Sequence, residues 1–167
     1  MSAPAESAAK LGDGPAGIPQ PVLVRGTGLL GASIGIGLSA AGVDVRLHDP
    51  SPAALAVAAD IRAGRPARLD AEGDDLDVAP GLVVVAAPPD VTADVVVDSL
   101  RRWPAAVVVD IASVKEAVAA GVRAAVDDGR LAPQDADRYL GTHPMAGSER
   151  SGPVAARGTL FTQAPWV

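Results

Sequence analysis

The chain of 167 residues contains no cysteine. Disulfides and thiolate metal sites are therefore excluded, and the redox compartment leaves no mark on the composition. Aromatic residues are scarce, at 2%. The core must be built from Ala, Val, Leu and Ile, which suits thin layers of helix on sheet. Two histidines are present, with no metal-ligand spacing around either, so no metal is expected. Acidic residues outnumber basic ones by 20 to 14, for a net charge of −6. That charge repels phosphate backbones and argues against a nucleic-acid partner. Long hydrophobic runs are also missing. Residues 29–43 contain a Gly31-x-x-x-Gly35 spacing that resembles a helix-dimer motif. The run is nevertheless too short for about 30 Å of hydrocarbon and is flanked by Arg25 and Asp44. The first twenty residues lack a basic start followed by an apolar stretch, so no secretory signal is read there. The cytoplasm is the expected compartment, with no membrane partner. A hydrophobic share of 49% excludes disorder throughout.

What is present is organised around residues 22–49, VLVRGTGLLGASIGIGLSAAGVDVRLHD. Val22, Leu23 and Val24 form an apolar, largely β-branched run that suits a buried strand. Gly26, Gly28 and Gly31 follow in a G-x-G-x-x-G spacing. A small-residue helix is expected over 29–41, stopped by Gly42. Residues 43–47 alternate apolar and polar, and Asp49 lies just beyond. In such a unit Gly26 permits the turn and Gly28 lets a pyrophosphate approach the backbone. Gly31 lets the helix lie close to the sheet. The helix start offers unpaired N–H groups to an anion. Gly26, Thr27, Gly28, Leu29, Leu30 and Gly31 thus form a candidate dinucleotide cradle. Asp49 can accept hydrogen bonds from an adenine ribose and would repel a 2′-phosphate, which favours NAD over NADP. A second reading makes Asp49 the cap of the following turn, with Ser51 as N-cap and Pro52 at the first helical position. Both can hold together.

Residues 1–20 are rich in Ala, Pro, Gly and Ser without periodicity and read as a disordered tail. Residues 21–167 read as one dinucleotide-binding domain. A helix is expected over 52–63, a short strand at 66–69, and an acidic loop with at most one helical turn over 71–80. The run 81–87 fits a central parallel strand ending at Pro88. Its end points into the same crevice as the glycine turn, so the backbone of Ala87 and Pro88 is a candidate cofactor lining. A plain strand end broken by proline is the alternative. Asp90 is read as the cap of a helix over 91–102, with Asp94 and Asp98 solvated on one face. A strand over 105–111 precedes Ser113-Val114-Lys115-Glu116, a capping-box spacing that opens a helix to about Asp128. A short strand near Tyr139 and Leu140 leads to a polar loop over 141–149. Residues 158–167 show no closing element. Alternating strands and helices give an α/β fold, a doubly wound, mostly parallel Rossmann-type sheet with helices on both faces.

Ser113 and His143 both fall at C-terminal ends of late strands, which face the ligand crevice in such a sheet. His143 is the strong acid–base candidate, since an imidazole suits proton removal from a hydroxyl near neutral pH. The alternative is a loop histidine satisfied by backbone. Ser113 suits a hydrogen bond to a substrate oxygen or to the imidazole; the alternative is a plain N-cap. Lys115 and Glu149 lie near in sequence and read more readily as surface charges. Arg25 stands where an apolar residue is expected and either disturbs the strand end or reaches solvent.

Three segments, GTGLLGASIG, DIASVKEAV and GTHPMAGSERSG, in that order and at these separations, resemble the prephenate/arogenate dehydrogenases of tyrosine biosynthesis. The resemblance covers residues 22–167, and the HPMAG segment with the preceding SVK is its most specific part. It implies NAD- or NADP-dependent oxidative decarboxylation of prephenate or arogenate. It implies that His143 is the base on the ring hydroxyl, that Ser113 assists there, and that Glu149 lies at the pocket mouth. The implied order is proton removal by His143, hydride transfer to the nicotinamide, and loss of carbon dioxide that aromatises the ring. In the family a C-terminal helical domain follows, builds a homodimer and supplies basic groups for the substrate carboxylates; nothing in this sequence corresponds to it. The sequence leaves two other functions open. One is a related β-hydroxyacid or imine dehydrogenase, the other a non-catalytic NAD-binding module.

Overall fold

In the computed structural model, residues 17–70, 73–146 and 152–167 are described. The first strand, β1 (Val22–Arg25), runs into helix α1 (Leu29–Ala40) and then β2 (Val45–His48). Helix α2 (Pro52–Asp60), β3 (Arg65–Pro66), β4 (Leu69–Asp70) and β5 (Gly73–Asp74) follow. The second half comprises β6 (Leu82–Val85), α3 (Pro89–Arg102), β7 (Val107–Asp110), α4 (Lys115–Asp127), α5 (Pro133–Ala136) and β8 (Tyr139–Gly141). A 3₁₀ turn, Pro153–Ala155, comes last.

Six strands form one sheet in the order β3-β2-β1-β6-β7-β8, with every pairing parallel. The fold is therefore the expected α/β doubly wound sheet. The chain winds outward from β1 to β3, returns to the centre at β6, and winds outward again to β8. That reversal opens a crevice between β1 and β6 at the carboxyl ends of the strands. One row of register partners marks that edge: His48, Arg25, Val85, Asp110 and Gly141. Residues that follow each of them lie along a single rim.

The core splits in two because successive strand side chains point to opposite faces. Val22, Val24, Val45 and Leu47 pack with α1 and α2 residues such as Ala32 and Ala58 on one face. Leu23, Val83, Val85 and Val108 pack with Val96, Leu100, Trp103, Val118 and Val122 of α3 and α4 on the other. Aliphatic residues supply nearly all of it, as the shortage of aromatic rings requires; Trp103 is the one buried ring.

Several local expectations are corrected. Gly73–Asp74, expected in the acidic loop over 71–80, form strand β5, which pairs antiparallel with β4 (Leu69–Asp70). Arg102 holds it in place, donating from Nη2 to Asp70 O at 2.6 Å and from Nη1 to Gly73 O at 3.1 Å. Helix α3 begins at Pro89 with Pro88 as N-cap, so Asp90 falls in the first turn and is no cap. Proline at the first helical position needs no N–H partner and sets the helix start earlier. The C-terminal residues are also paired. His143 N donates to Val167 O at 2.6 Å, Val167 N to His143 O at 3.1 Å, and Met145 N to Pro165 O at 2.8 Å. At the other end, Ile18 packs against the core and Gln20 Oε1 accepts from Asp44 N at 2.7 Å. Ile18 and Gln20, read as part of the tail, therefore contact the domain.

Arg25 neither breaks its strand nor reaches solvent. It keeps full register on both sides, with His48 and with Val85. Its side chain is 12% exposed and turns under the sheet toward α3. Nη1 donates to Asp98 Oδ2 at 2.6 Å, to Ser99 Oγ at 2.8 Å and to Val95 O at 3.2 Å. The guanidinium lies 5.9 Å from the centre of the Trp103 ring, while its buried Nε has no partner. Burial holds the Arg25 pKa below its ordinary value, against the raising effect of Asp98. Asp98, expected as a solvated charge, is its counter-ion. A buried cation of this kind gains little over a well-packed apolar side chain. Arg25→Met is therefore expected to leave stability unchanged or to raise it by about 1–2 kcal/mol, measured by urea unfolding. A loss beyond about 2 kcal/mol would show that the ion pair is a net stabiliser.

Candidate functional site

The rim begins with the glycine turn. Gly26 has φ +104°, and a Cβ there would lie 2.4 Å from Ala86 O. A Cβ on Gly31 would lie 2.0 Å from Gly26 O. Both positions must lack a side chain, because β1, β6 and α1 meet with backbone against backbone. Gly28 differs. It is the exposed N-cap residue of α1, and a Cβ there would meet nothing within 4 Å. The space over Gly28 is open at the point where the free N–H groups of α1 begin. That is the shape and polarity required for a diphosphate. Thr27, between the two glycines, is fully buried, and Leu29 and Leu30 form the first turn of α1, half-buried.

Asp49 stands one strand over, just past β2. Its Oδ2 accepts from Thr27 N at 2.7 Å and from Thr27 Oγ1 at 2.9 Å. Its Oδ1 accepts from Ser51 N at 2.8 Å. Ser51 Oγ in turn caps α2, accepting from Ala54 N at 3.3 Å, with Pro52 at the first position. The turn-capping reading of Asp49 therefore holds. The link from Asp49 to Thr27 has no local sequence signal, and it ties the acid to the glycine turn. A carboxylate has about four acceptor directions, so three internal donors leave one for a ribose hydroxyl. Beside Asp49 a cavity of about 310 Å³ is lined by His48, Pro52, Leu55, Pro66, Ala67 and Leu69 among others. Burial holds the His48 pKa below its ordinary value, and Nδ1 faces Ala67 O at 3.4 Å. A larger cavity of about 420 Å³, near Gln20, Ser39 and Asp44, lies at the opposite edge of the sheet, where the strands begin.

Ala87 and Pro88 follow β6 on the rim. Thr92, fully buried in α3, donates from Oγ1 to Pro88 O at 2.8 Å and to Ala87 O at 3.1 Å, which fixes that backbone. Ser113 follows β7 and is exposed. It is not the N-cap: α4 starts at Lys115 after Val114, with no side-chain cap. Asp110 takes over the turn instead, accepting from Ala112 N at 2.8 Å and pairing with Lys115 Nζ. The chain is thereby carried past Ser113 before the helix opens, and the hydroxyl is released from capping. Lys115 is correspondingly no simple surface charge. His143 follows β8, half-buried, with its backbone held between Val167 N and O. Glu149 lies outside the described residues.

The rim therefore runs, in spatial order, from Asp49 through the glycine turn, Ala87 and Pro88, and Ser113 to His143. From β1 to β8 is three strand spacings, roughly 14 Å. Among the described residues no cluster of His, Cys, Asp or Glu suits a metal ion, and no helix is long and apolar enough to cross a membrane.

An open helix N-terminus at the switch point of a parallel sheet, with an acid after the second strand, defines a dinucleotide-binding domain of Rossmann type. The chain belongs to the family described as prephenate dehydrogenase, nucleotide-binding domain, whose model matches residues 35–167. That stretch opens inside α1, so the glycine turn stands on its own geometry. Over 145 residues the chain is 37% identical to a probable prephenate dehydrogenase, NovF, of Streptomyces niveus. The match covers 87% of this chain and 36% of that protein. Among solved structures, a putative prephenate dehydrogenase from Corynebacterium glutamicum is 30% identical, with a TM-score of 0.67 over 89% of this chain and 44% of the other. Prephenate dehydrogenase from Aquifex aeolicus, in complex with hydroxyphenyl propionate and NAD+, shares the fold at 23% identity. Its TM-score is 0.72 over 88% of this chain and 49% of the other. The chain thus spans between a third and a half of the length of these relatives.

The glycine geometry separates fold from binding. Gly28→Ala is expected to change stability by no more than about 1 kcal/mol, the scale of an N-cap change. It should still weaken dinucleotide binding at least about tenfold, by closing the approach to the backbone. Gly31→Ala should destabilise the fold itself by roughly 1–3 kcal/mol, because its Cβ meets a carbonyl that cannot move aside. Thermal unfolding and NADH fluorescence titration of both variants check the contrast.

Proposed function

We propose that this chain is the NAD-binding part of a cytoplasmic prephenate dehydrogenase, which oxidatively decarboxylates prephenate to 4-hydroxyphenylpyruvate in tyrosine biosynthesis. The observation that carries the reading is the common rim, with an anion-ready glycine turn toward one end and Ser113 and His143 toward the other. Family membership supports it, and so does the complex of the Aquifex aeolicus protein with NAD+ and hydroxyphenyl propionate.

The residues divide the work by position. Gly26, Thr27, Gly28, Leu29, Leu30 and Gly31 hold the diphosphate through backbone N–H groups at the start of α1. Asp49 accepts from the adenine ribose and disfavours a 2′-phosphate, so NAD is preferred to NADP. The backbone of Ala87 and Pro88 lines the nicotinamide half. When bound, NAD+ supplies the two-electron acceptor. His143 takes the proton of the substrate ring hydroxyl onto an imidazole nitrogen. Ser113 hydrogen-bonds the same hydroxyl and orients it. Glu149, which lies outside the described residues, is given the pocket mouth by the resemblance alone. The whole enzyme is a homodimer whose further residues bind the substrate carboxylates.

Two measurements test the reading. NADH added to this chain should give saturable fluorescence enhancement, and no saturable binding would remove the proposal. In whatever length of the protein turns over prephenate, His143→Asn should lower kcat by about 100-fold or more while NAD+ affinity persists. Parallel loss of NAD+ binding would contradict the role given to His143. Turnover of arogenate in place of prephenate would change the substrate and leave the site assignment standing.

A further inference from the structure

Beneath the rim, between the loops that carry Ser113 and His143, lies a carboxylate that the proposed reaction does not use. Asp110 ends β7 and is fully buried. Its Oδ1 accepts from Ala112 N at 2.8 Å and pairs with Lys115 Nζ. Its Oδ2 accepts from the Tyr139 hydroxyl at 2.7 Å. Its main-chain carbonyl accepts from Thr142 Oγ1 at 2.7 Å and from Thr142 N at 3.0 Å. The partners come from the segments on which both loops are mounted. Ala112 and Lys115 flank Ser113 on either side, while Tyr139 and Thr142 lead into His143. Gly141 leaves room for the cluster: a Cβ there would sit 3.1 Å from the Tyr139 oxygen and 3.2 Å from Lys115 Cδ.

An uncompensated carboxylate in such a place is costly. Here one ammonium and two further donors satisfy it, and fully satisfied buried networks hold their members in one arrangement. Burial first, and then the hydrogen bond and charge of Asp110, push the Tyr139 phenol well above its ordinary pKa. The same carboxylate therefore reports on itself through Tyr139.

We propose that Asp110 is the positioning residue of this site, clamping the Ser113 loop and the His143 loop at a fixed separation through Lys115, Tyr139 and Ala112. It acts without touching substrate or cofactor. The proposal rests on the reading of Ser113 and His143 as the substrate-facing pair, and its test separates the two.

Tyr139 is the sole tyrosine, so the ultraviolet absorbance of its phenolate reads the network alone. Asp110→Asn should move that titration toward lower pH. In the protein that turns over prephenate, it should also lower kcat by about 10- to 100-fold, the cost of roughly 1 Å of misplacement. KM and NAD+ affinity should stay within about threefold, as for an interaction felt chiefly in the transition state. Tyr139→Phe removes one arm and no charge, and should lower kcat in the same direction by less. It carries the test, with Lys115→Met, if Asp110→Asn fails to fold. Unchanged kcat in these variants would overturn the proposal, as would NAD+ affinity falling in step with kcat. Should the parent protein not oxidise prephenate, the functional reading fails by itself. The ring signals of the two histidines then decide the clamp: a shifted His143 resonance in Tyr139→Phe supports it, and an unmoved one overturns it.

Discussion

The structure depends on one close approach. Three backbones, from the end of β1, the end of β6 and the first turn of α1, meet with no side chain between them. Hydrogens at Gly26 and Gly31 are the only substituents that fit, since a Cβ at either would lie within 2.4 Å of a carbonyl oxygen. This contact seats α1 on the sheet with its N-terminus aimed at the rim. It also brings the carboxyl end of β6 beside that of β1, where the winding reverses. A parallel sheet then does the rest, because every strand delivers its next residues to the same edge. Glycine turn, acid, serine and histidine share a surface as a result of sheet topology.

Polar residues below that surface fix how its parts stand to one another. Thr27 joins the glycine turn to Asp49. Thr92 braces the backbone of Ala87 and Pro88. Asp110 joins the two loops that hold Ser113 and His143. Thr27, Thr92 and Asp110 are all fully buried; Thr27 and Asp110 bridge segments that are distant in sequence, while Thr92 reaches back to the turn that opens its own helix. With so few aromatic residues, the core is soft aliphatic packing. These directional bonds supply the precision that packing of Ala and Val alone does not.

Much of this was legible in the chain before any coordinates. Apolar runs at 22–24 and 81–87 hold buried parallel strands whose two faces are covered, so they read as continuous hydrophobic stretches; the run 105–111 holds β7, which alternates, with Val107 exposed and Val108 buried. The glycine spacing marked the turn into α1, and Ser51 with Pro52 marked the start of α2. The misses have a shared cause. Ser113 fits a capping box locally, yet the buried carboxylate of Asp110 holds the turn and moves the helix start to Lys115. Asp98 and Lys115 read as surface charges, and Arg25 as a residue that disturbs its strand end or reaches solvent, yet each finds a partner within the fold. The last residues show no element in their sequence, and they pair with a loop twenty or more positions earlier.

The sequence by itself determined the elements, their order and the chemical types along the rim, because strand hydrophobicity, glycine spacing and proline positions act over a few residues. Only the tertiary structure decided which charges are buried, which hydroxyl is free and which side chains tie one loop to another. Those outcomes depend on pairs such as Arg25 with Asp98 and Tyr139 with Asp110, whose members lie tens of residues apart. Desolvation and hydrogen bonding between such groups are set by distance in space, and no local pattern encodes it.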